Sequence, residues 1–223
     1  MGIGAFTNRA EAYAKTRPGY PDEAVEYICT LVPRNAVFAD VGAGTGILTA
    51  LIAYHGFEIF AVEPNADMLE QLAISLVPFP KTKIFDGTAE NTKLPNNCVD
   101  VITNAQALRR FDIDMFRTEC LRIGKTNPIV ITIFNGGNGG SASYEQALRA
   151  LYRNPDVRKF PNPLYFTRDK WHLYYASMEG VPLKGEAGYE AWTAELNERF
   201  DRDSVDGALR ENLMTYVYSE RLL

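Results

Sequence analysis

Asp40-Val41-Gly42-Ala43-Gly44-Thr45-Gly46 closes one short apolar run and opens a longer one. Glycine admits positive φ and lets a ligand approach the backbone closely. A helix that begins just after such a loop offers free N–H groups and the positive end of its dipole. The stretch is therefore suited to a nucleotide-like ligand, and its spacing narrows which one. Dinucleotide loops read G-x-G-x-x-G; here the third glycine comes one residue early and Ile47 takes its usual place. No Gly-Lys-Ser/Thr follows, which excludes a phosphate-cradling P-loop. Glu63 ends the next apolar run, "EIFAVE". An acid at the tip of a second strand can accept hydrogen bonds from both hydroxyls of a ribose. A carboxylate at a strand tip makes few packing contacts, so its loss is expected to change ligand affinity and leave fold stability nearly untouched. Further on, Thr88-Ala89-Glu90 falls where a purine edge would be read, and Asn104 to Gln106 follows another strand-like run.

These residues need a frame, and the chain from Val37 onward supplies one. "AVFAD", "EIFAVEP", "TKIFDG", "VDVITN" and "PIVITIFN" read as strands. "ILTALIAYHG", "ADMLEQLAISLV" and "DIDMFRTECLRI" between them read as helices. This alternation predicts an α/β fold, a Rossmann-like doubly wound, mostly parallel sheet with helices on both faces. The continuous apolar character of "IVITIF" fits a strand buried on both sides. Before the core, turn punctuation at "RPGYPDE" predicts a helix starting near Pro21 or Asp22 and running to about Leu31. After it, "GGNGGSAS" reads as a flexible hinge and "YEQALRALYR" as a helix. The Pro- and aromatic-rich stretch through Phe160, Tyr165, Phe166, Trp171, Tyr174 and Tyr175 reads as the core of a cap or the wall of a pocket. A helix near "GYEAWTAELNERF" and a strand near "ALRENLMTYVY" close the chain. The expected division is a helical lid over 1–34, a ligand-binding core over 35–136, a cap over 137–205 and a terminal sheet strand over 206–223.

Composition bounds the function. The 223 residues are 46% hydrophobic and 23% charged, an ordinary globular balance. The net charge of −5 and the absence of a basic stripe argue against nucleic acid as a partner. Apolar runs break well before the roughly 18 residues a membrane span needs. The opening lacks the apolar core of a secretory signal, so a cytoplasmic protein is expected, monomeric or homodimeric. Cys29, Cys98 and Cys120 are scattered and odd in number, and His55 and His172 stand alone, so neither disulfides nor a metal site is expected.

"DVGAGTG", "AVEPNADM", "GTAENTKLP", "VDVITNAQAL" and "PIVITIFN", in this order, resemble the class I S-adenosylmethionine-dependent methyltransferases, in particular the small stand-alone type 11 family. The opening "NRAEAYAKTRPGYP" and the closing "FDRDSVDGALRENLMTYVY" are similar to one subgroup, so the likeness covers most of the chain. The resemblance implies S-adenosylmethionine as cofactor, S-adenosylhomocysteine as its product, and a small-molecule methyl acceptor. It implies that Gly42, Gly44 and Gly46 pass close to the methionine moiety while Asp40 braces their loop. Glu63 is then expected to bind the ribose hydroxyls, with Pro64, Asn65 and Met68 packed near the adenine. Thr88, Ala89 and Glu90 are expected around the adenine edge, and Asn104 and Gln106 at the amino-acid end. Tyr13 and Arg17 fall in the lid, where the Arg17 guanidinium matches the cofactor carboxylate.

One departure stands out. Relatives in the subgroup continue Ala-Gln-Ala with Phe-His-Trp-Phe-Asp, whereas this chain has Leu108-Arg109-Arg110-Phe111-Asp112. Two arginines replace the His and Trp, which implies a different way of working, a more acidic acceptor, or no activity. Methyl transfer is an in-line displacement with the reacting atoms held roughly 3–3.5 Å apart. A base is needed only for an acceptor that carries a proton, and His172, Tyr13, Tyr174 and Tyr175 are the candidates. Asn104 does not open an Asn-Pro-Pro-Tyr run, which argues against nucleic-acid or amide nitrogens as acceptors. Two rivals remain. An NAD-dependent oxidoreductase is disfavoured by the glycine spacing, and a non-catalytic binder of S-adenosylmethionine or S-adenosylhomocysteine is kept open by the lost His-Trp pair.

Overall fold

The computed structural model describes residues 17–137, 142–178, 180–182 and 184–222. Tyr13 and hinge residues 138–141 lie outside this set. In chain order the elements are α1 (Asp22–Thr30), β1 (Val37–Val41), α2 (Ile47–Tyr54), β2 (Glu58–Val62), α3 (Ala66–Leu76), β3 (Thr82–Phe85) and β4 (Val99–Ala105). A 3-10 turn (Leu108–Arg110) leads to α4 (Ile113–Ile123), β5 (Gly124–Gly136), α5 (Ala142–Leu151) and β6 (Asp156–Phe166). The chain closes with α6 (Arg168–Ala176), α7 (Tyr189–Asp203) and β7 (Leu209–Arg221).

One seven-stranded sheet runs in the order β3-β2-β1-β4-β5-β7-β6. The strands from β3 to β5 pair in parallel, and β7 pairs antiparallel with both β5 and β6. This is the doubly wound α/β architecture expected from the alternating pattern. Reversal of strand order at β1, with β2 on one side and β4 on the other, opens a crevice at the strands' carboxyl ends, where ligands of such sheets bind. One apolar layer joins Phe38, Ile59, Val101 and Ile131 of the sheet to Ala24 and Ile28 of α1 and to Leu48 and Ile52 of α2. The opposite layer joins Ile102, Val130 and Phe134 to Phe116 and Cys120 of α4 and to Leu148 and Leu151 of α5. Helix starts are set locally. The Asn65 carboxamide accepts from Met68 N at 3.0 Å, and the Asp112 carboxylate accepts from Met115 N at 3.1 Å, as N-caps do.

The segment expected as a cap divides differently. Asp156–Phe166 is the edge strand of the main sheet, paired with β7 from Asp156↔Ser219 to Phe166↔Leu209. Pro161 and Pro163 are compatible with an edge because one side of such a strand has no ladder partner to receive an N–H. Among the described residues, α6 and α7 pack against the ends of β6 and β7. They pack on Trp171, fully buried, with Phe166, Leu196, Phe200 and Leu209.

Candidate functional site

β1 ends at Val41, and the glycine loop turns between its tip and α2. Gly42, Gly44 and Gly46 have φ of 72°, 59° and 88°, the left-handed region that favours glycine. Their surroundings separate their roles. A Cβ at Gly42 would lie 2.8 Å from Ala107 Cβ, and one at Gly46 would lie 2.6 Å from Ser75 Oγ. Those two glycines permit close packing, of the post-β4 turn and of α3 respectively. A Cβ at Gly44 would meet nothing within 4 Å, so that side of the residue is open. Several of the loop's donors are used inside the chain. Gly42 N and Ala43 N both donate to Val62 O, at 2.9 and 3.0 Å, and Gly46 N donates to Ala43 O at 2.9 Å. The buried Thr45 hydroxyl has no hydrogen-bond partner among the described residues.

Two acids sit beneath and beside the loop. Asp40 is fully buried; it accepts from the Thr49 hydroxyl of α2 at 2.6 Å and the Thr103 hydroxyl of β4 at 2.9 Å. It therefore ties β1 to the helix after the loop and to the neighbouring strand. Burial pushes its carboxyl up to about 6, against the two hydroxyl bonds that lower it, with the Glu63 charge adding to the rise. Glu63, 8% exposed, accepts from Gly44 N through Oε2 and from Asn65 N through Oε1, each at 2.9 Å. Burial raises its carboxyl too, while the two backbone bonds and the Arg110 guanidinium oppose that rise. Each Glu63 oxygen keeps a second lone pair, so the carboxylate both braces the loop and can take further donors. The expectation that Glu63 contributes little to stability fails on these two bonds.

Residues 39–132 match the model of a methyltransferase domain. An uncharacterized methyltransferase of Mycobacterium tuberculosis is 38% identical over 103 residues, which are 46% of this chain and 40% of that protein. The core is thus similar to the methyltransferase domain over residues 39–132. The chain spans less than half the length of the curated relatives it matches, 40% of the mycobacterial protein and 47% of a Dictyostelium discoideum one. Solved structures agree on the fold. A structure described as a type II methyltransferase from Anaeromyxobacter dehalogenans superposes with a TM-score of 0.63 at 18% identity, over 93% of this chain and 98% of the other. Geranyl diphosphate C-methyltransferase from Streptomyces coelicolor, solved with S-adenosyl-L-homocysteine, gives 0.51 at 12% identity, over 90% and 76%.

Other expected residues of this methyltransferase domain lie as follows. Asn65 caps α3 next to Glu63, and Met68 is buried one turn on. In the loop after β3, Thr88 Oγ1 accepts from Asn91 N at 3.2 Å, and Ala89 is buried in the core. Glu90 Oε1 accepts from Asp112 N at 3.0 Å and so ties that loop to the turn after β4. Gln106, in the left-handed region at φ 58°, donates from Nε2 to Asn135 O at 3.3 Å.

Asn104 departs from expectation. Asp40 is paired with Thr103 in register, so Asn104, the next residue, points to the other face of the sheet. Its buried amide donates to Thr132 Oγ1 at 3.0 Å, inside the layer beneath α5. Arg17 donates to Ser177 O at 3.3 Å and lies over the Tyr174 ring, at the end of α6. The catalytic candidates with described coordinates are engaged in the α6–α7 lobe. His172 Nε2 is 2.8 Å from Asn197 Oδ1 of α7, Tyr175 accepts from Arg199 at 3.0 Å, and the Tyr174 ring packs tilted against Phe166. Sequence reasoning missed Thr49, Thr103, Ala107 and Phe111 as partners of the loop. A hydroxyl in the first helical turn was a legible signal for Thr49; Thr103 required the β1–β4 register.

Proposed function

We propose that the chain is an S-adenosylmethionine-dependent methyltransferase acting on a small-molecule acceptor. The observation that carries this reading is Glu63, a buried carboxylate at the tip of β2 whose Oε2 lies 2.9 Å from Gly44 N, beside the open side of the glycine loop. A ribose that lies across Gly44 can donate both hydroxyls to that carboxylate. The loop suits a nucleoside better than a dinucleotide. A pyrophosphate needs free backbone N–H groups, and those of Gly42, Ala43, Gly44 and Gly46 already donate within the chain.

When bound, the cofactor supplies an already activated methyl group. The chain's own task is then alignment and exclusion of water. Gly44 lets the ligand lie against the backbone, and Glu63 anchors its ribose. Asn65, Met68 and the 88–90 loop bound the base. Gln106, held to the end of β5, bounds the amino-acid end. Arg17 and Tyr174 close the cap side. The net charge of −5 favours a small acceptor over nucleic acid, and the free Cys29, Cys98 and Cys120 suit a cytoplasmic setting. The test is methyl transfer from labelled S-adenosylmethionine to a panel of phenols, carboxylates, amines and thiols. Transfer to any of them supports the reading. Tight binding of S-adenosylhomocysteine with no transfer across the panel identifies a catalytically silent binder instead.

A further inference from the structure

The turn that bounds the base, residues 88–91, closes on itself. Thr88 N donates to Asn91 O at 3.0 Å, and Asn91 N returns to Thr88 O at 3.3 Å. The chain enters it beside the ribose anchor, since Glu63 N donates to Phe85 O at 3.1 Å. It leaves through Thr92, which is fully buried. A Cβ at Gly87 would lie 2.6 Å from Thr92 O, so the entering and leaving segments lie back to back and can only move together. Where Thr92 sits therefore decides where the turn sits. Thr92 is held from α4. Its N donates to Glu119 Oε1 at 2.8 Å and its hydroxyl to the same oxygen at 2.5 Å, while Leu94 N donates to that hydroxyl at 3.2 Å.

Glu119 is itself fixed. It is buried, and Arg122, one turn further along α4, donates from Nε to Oε2 and from Nη2 to Oε1, each at 2.7 Å. Such a forked pair sets a carboxylate in orientation as well as in place. Arg122 also donates from Nη1 to Asn96 Oδ1 at 2.7 Å, further down the same loop. The helix grips the turn a second time at its own start, where Asp112 N donates to Glu90 Oε1 at 3.0 Å. We propose that Glu119 is a positioning residue for the cofactor base: through Thr92 it sets the 88–91 turn against the purine edge and so fixes the preference for adenine. This rests on the reading of the crevice as a nucleoside site. Hydrogen bonds to a base edge weaken steeply once distance and angle degrade, so the turn must be held rigidly to discriminate. The ribose and the amino-acid end are bounded by Glu63 and Gln106, on other elements. A turn displaced by loss of Glu119 therefore weakens contacts to the base and leaves those to the rest of the ligand.

The test uses the full chain, as wild type, Glu119→Gln, Thr92→Val and Thr92→Ser. Each is titrated calorimetrically with S-adenosylhomocysteine and with S-inosylhomocysteine, which carries an oxo group in place of the amino group at the purine 6-position; the weaker ligand is followed by displacement. Wild type should prefer the adenosyl ligand on the order of tenfold. Glu119→Gln keeps the shape but turns an N–H toward Arg122 or Thr92, and Thr92→Val removes the hydroxyl. In both, S-adenosylhomocysteine affinity should fall roughly three- to tenfold while S-inosylhomocysteine affinity changes by less than about twofold. Thr92→Ser keeps the hydroxyl and should restore most of the preference. Should Glu119→Gln fail to fold, the two Thr92 variants decide alone. Loss of affinity for both ligands by the same factor makes Glu119 a brace of the whole domain and overturns the proposal, as does an unchanged preference. Equal binding of both ligands by wild type also overturns it, because the turn then does not read the base, although the nucleoside reading stands. A wild type that binds neither ligand fails the nucleoside reading, and the positioning role with it.

Discussion

Replacement of Asp40 by Asn tests how the floor of the glycine loop is held. The carboxyl is fully buried and pushed up to about 6 from an ordinary value of 3.8. A carboxyl with a raised value in the folded state binds its proton more tightly there than in the unfolded chain. Its contribution to stability is therefore complete below about pH 3.8 and is lost as pH rises through about 6. At 1.36 kcal/mol per pKa unit, ionised Asp40 costs the fold about 3 kcal/mol at neutral pH. Asn has the same shape, never ionises, and can accept from one hydroxyl while donating to the other. Asp40→Asn should match wild type near pH 4 and become progressively more stable above it. The gain should level off above pH 7 at roughly 6–12 °C in melting temperature, given about 2–4 °C per kcal/mol for a chain of this size. Thermal unfolding of both proteins in a pH series measures the difference, in which other titrating groups cancel. A difference constant from pH 4 to 8 would refute the assignment of a costly buried charge to Asp40.

Glu63→Ala should lower S-adenosylhomocysteine affinity on the order of 30- to 150-fold, from the loss of about 2–3 kcal/mol of charge-assisted bonding. Because its oxygens also hold Gly44 N and Asn65 N, the same variant should lose about 1–2 kcal/mol of stability, roughly 2–8 °C, since water can reach part of the site. An unchanged melting temperature would contradict the bracing role. The glycines should separate cleanly. Gly44→Ala meets no atom within 4 Å and should lose only about 1–2 kcal/mol to backbone strain while binding ligand at least tenfold more weakly, about 1.4 kcal/mol. Gly46→Ala, driven into Ser75 and Leu72, should lose about 2–4 kcal/mol of stability. Equal behaviour of the two variants in melting and titration would count against this division.

The fold was legible where one physical signal dominates. Doubly buried strands such as Ile129–Phe134 read as apolar runs broken only by Thr132, and the helix starts at Ala66 and Ile113 carry Asn65 and Asp112 as caps. The glycine loop and Glu63 were legible for the same reason, since both depend on residue type at an element's end. β6 was not legible. Pro161 and Pro163 break the local strand signal, and only the antiparallel partner β7, some fifty residues on, stabilises it. The face of Asn104 was not legible either, because one residue of register decides whether a side chain looks into the crevice or into the core. The exposures of Arg109 and Arg110 differ for a similar reason. Adjacent residues in a 3-10 turn point about a third of a turn apart, and only the contacts at Gly42 and Glu90 decide which is turned inward.

Titration of wild-type protein with S-adenosylhomocysteine and, separately, with NAD tests the central claim most directly. The account predicts one site per chain for S-adenosylhomocysteine, lost or strongly weakened in Glu63→Ala, and no detectable heat from NAD. Binding of NAD with no binding of S-adenosylhomocysteine would contradict it, as would S-adenosylhomocysteine affinity that survives Glu63→Ala unchanged.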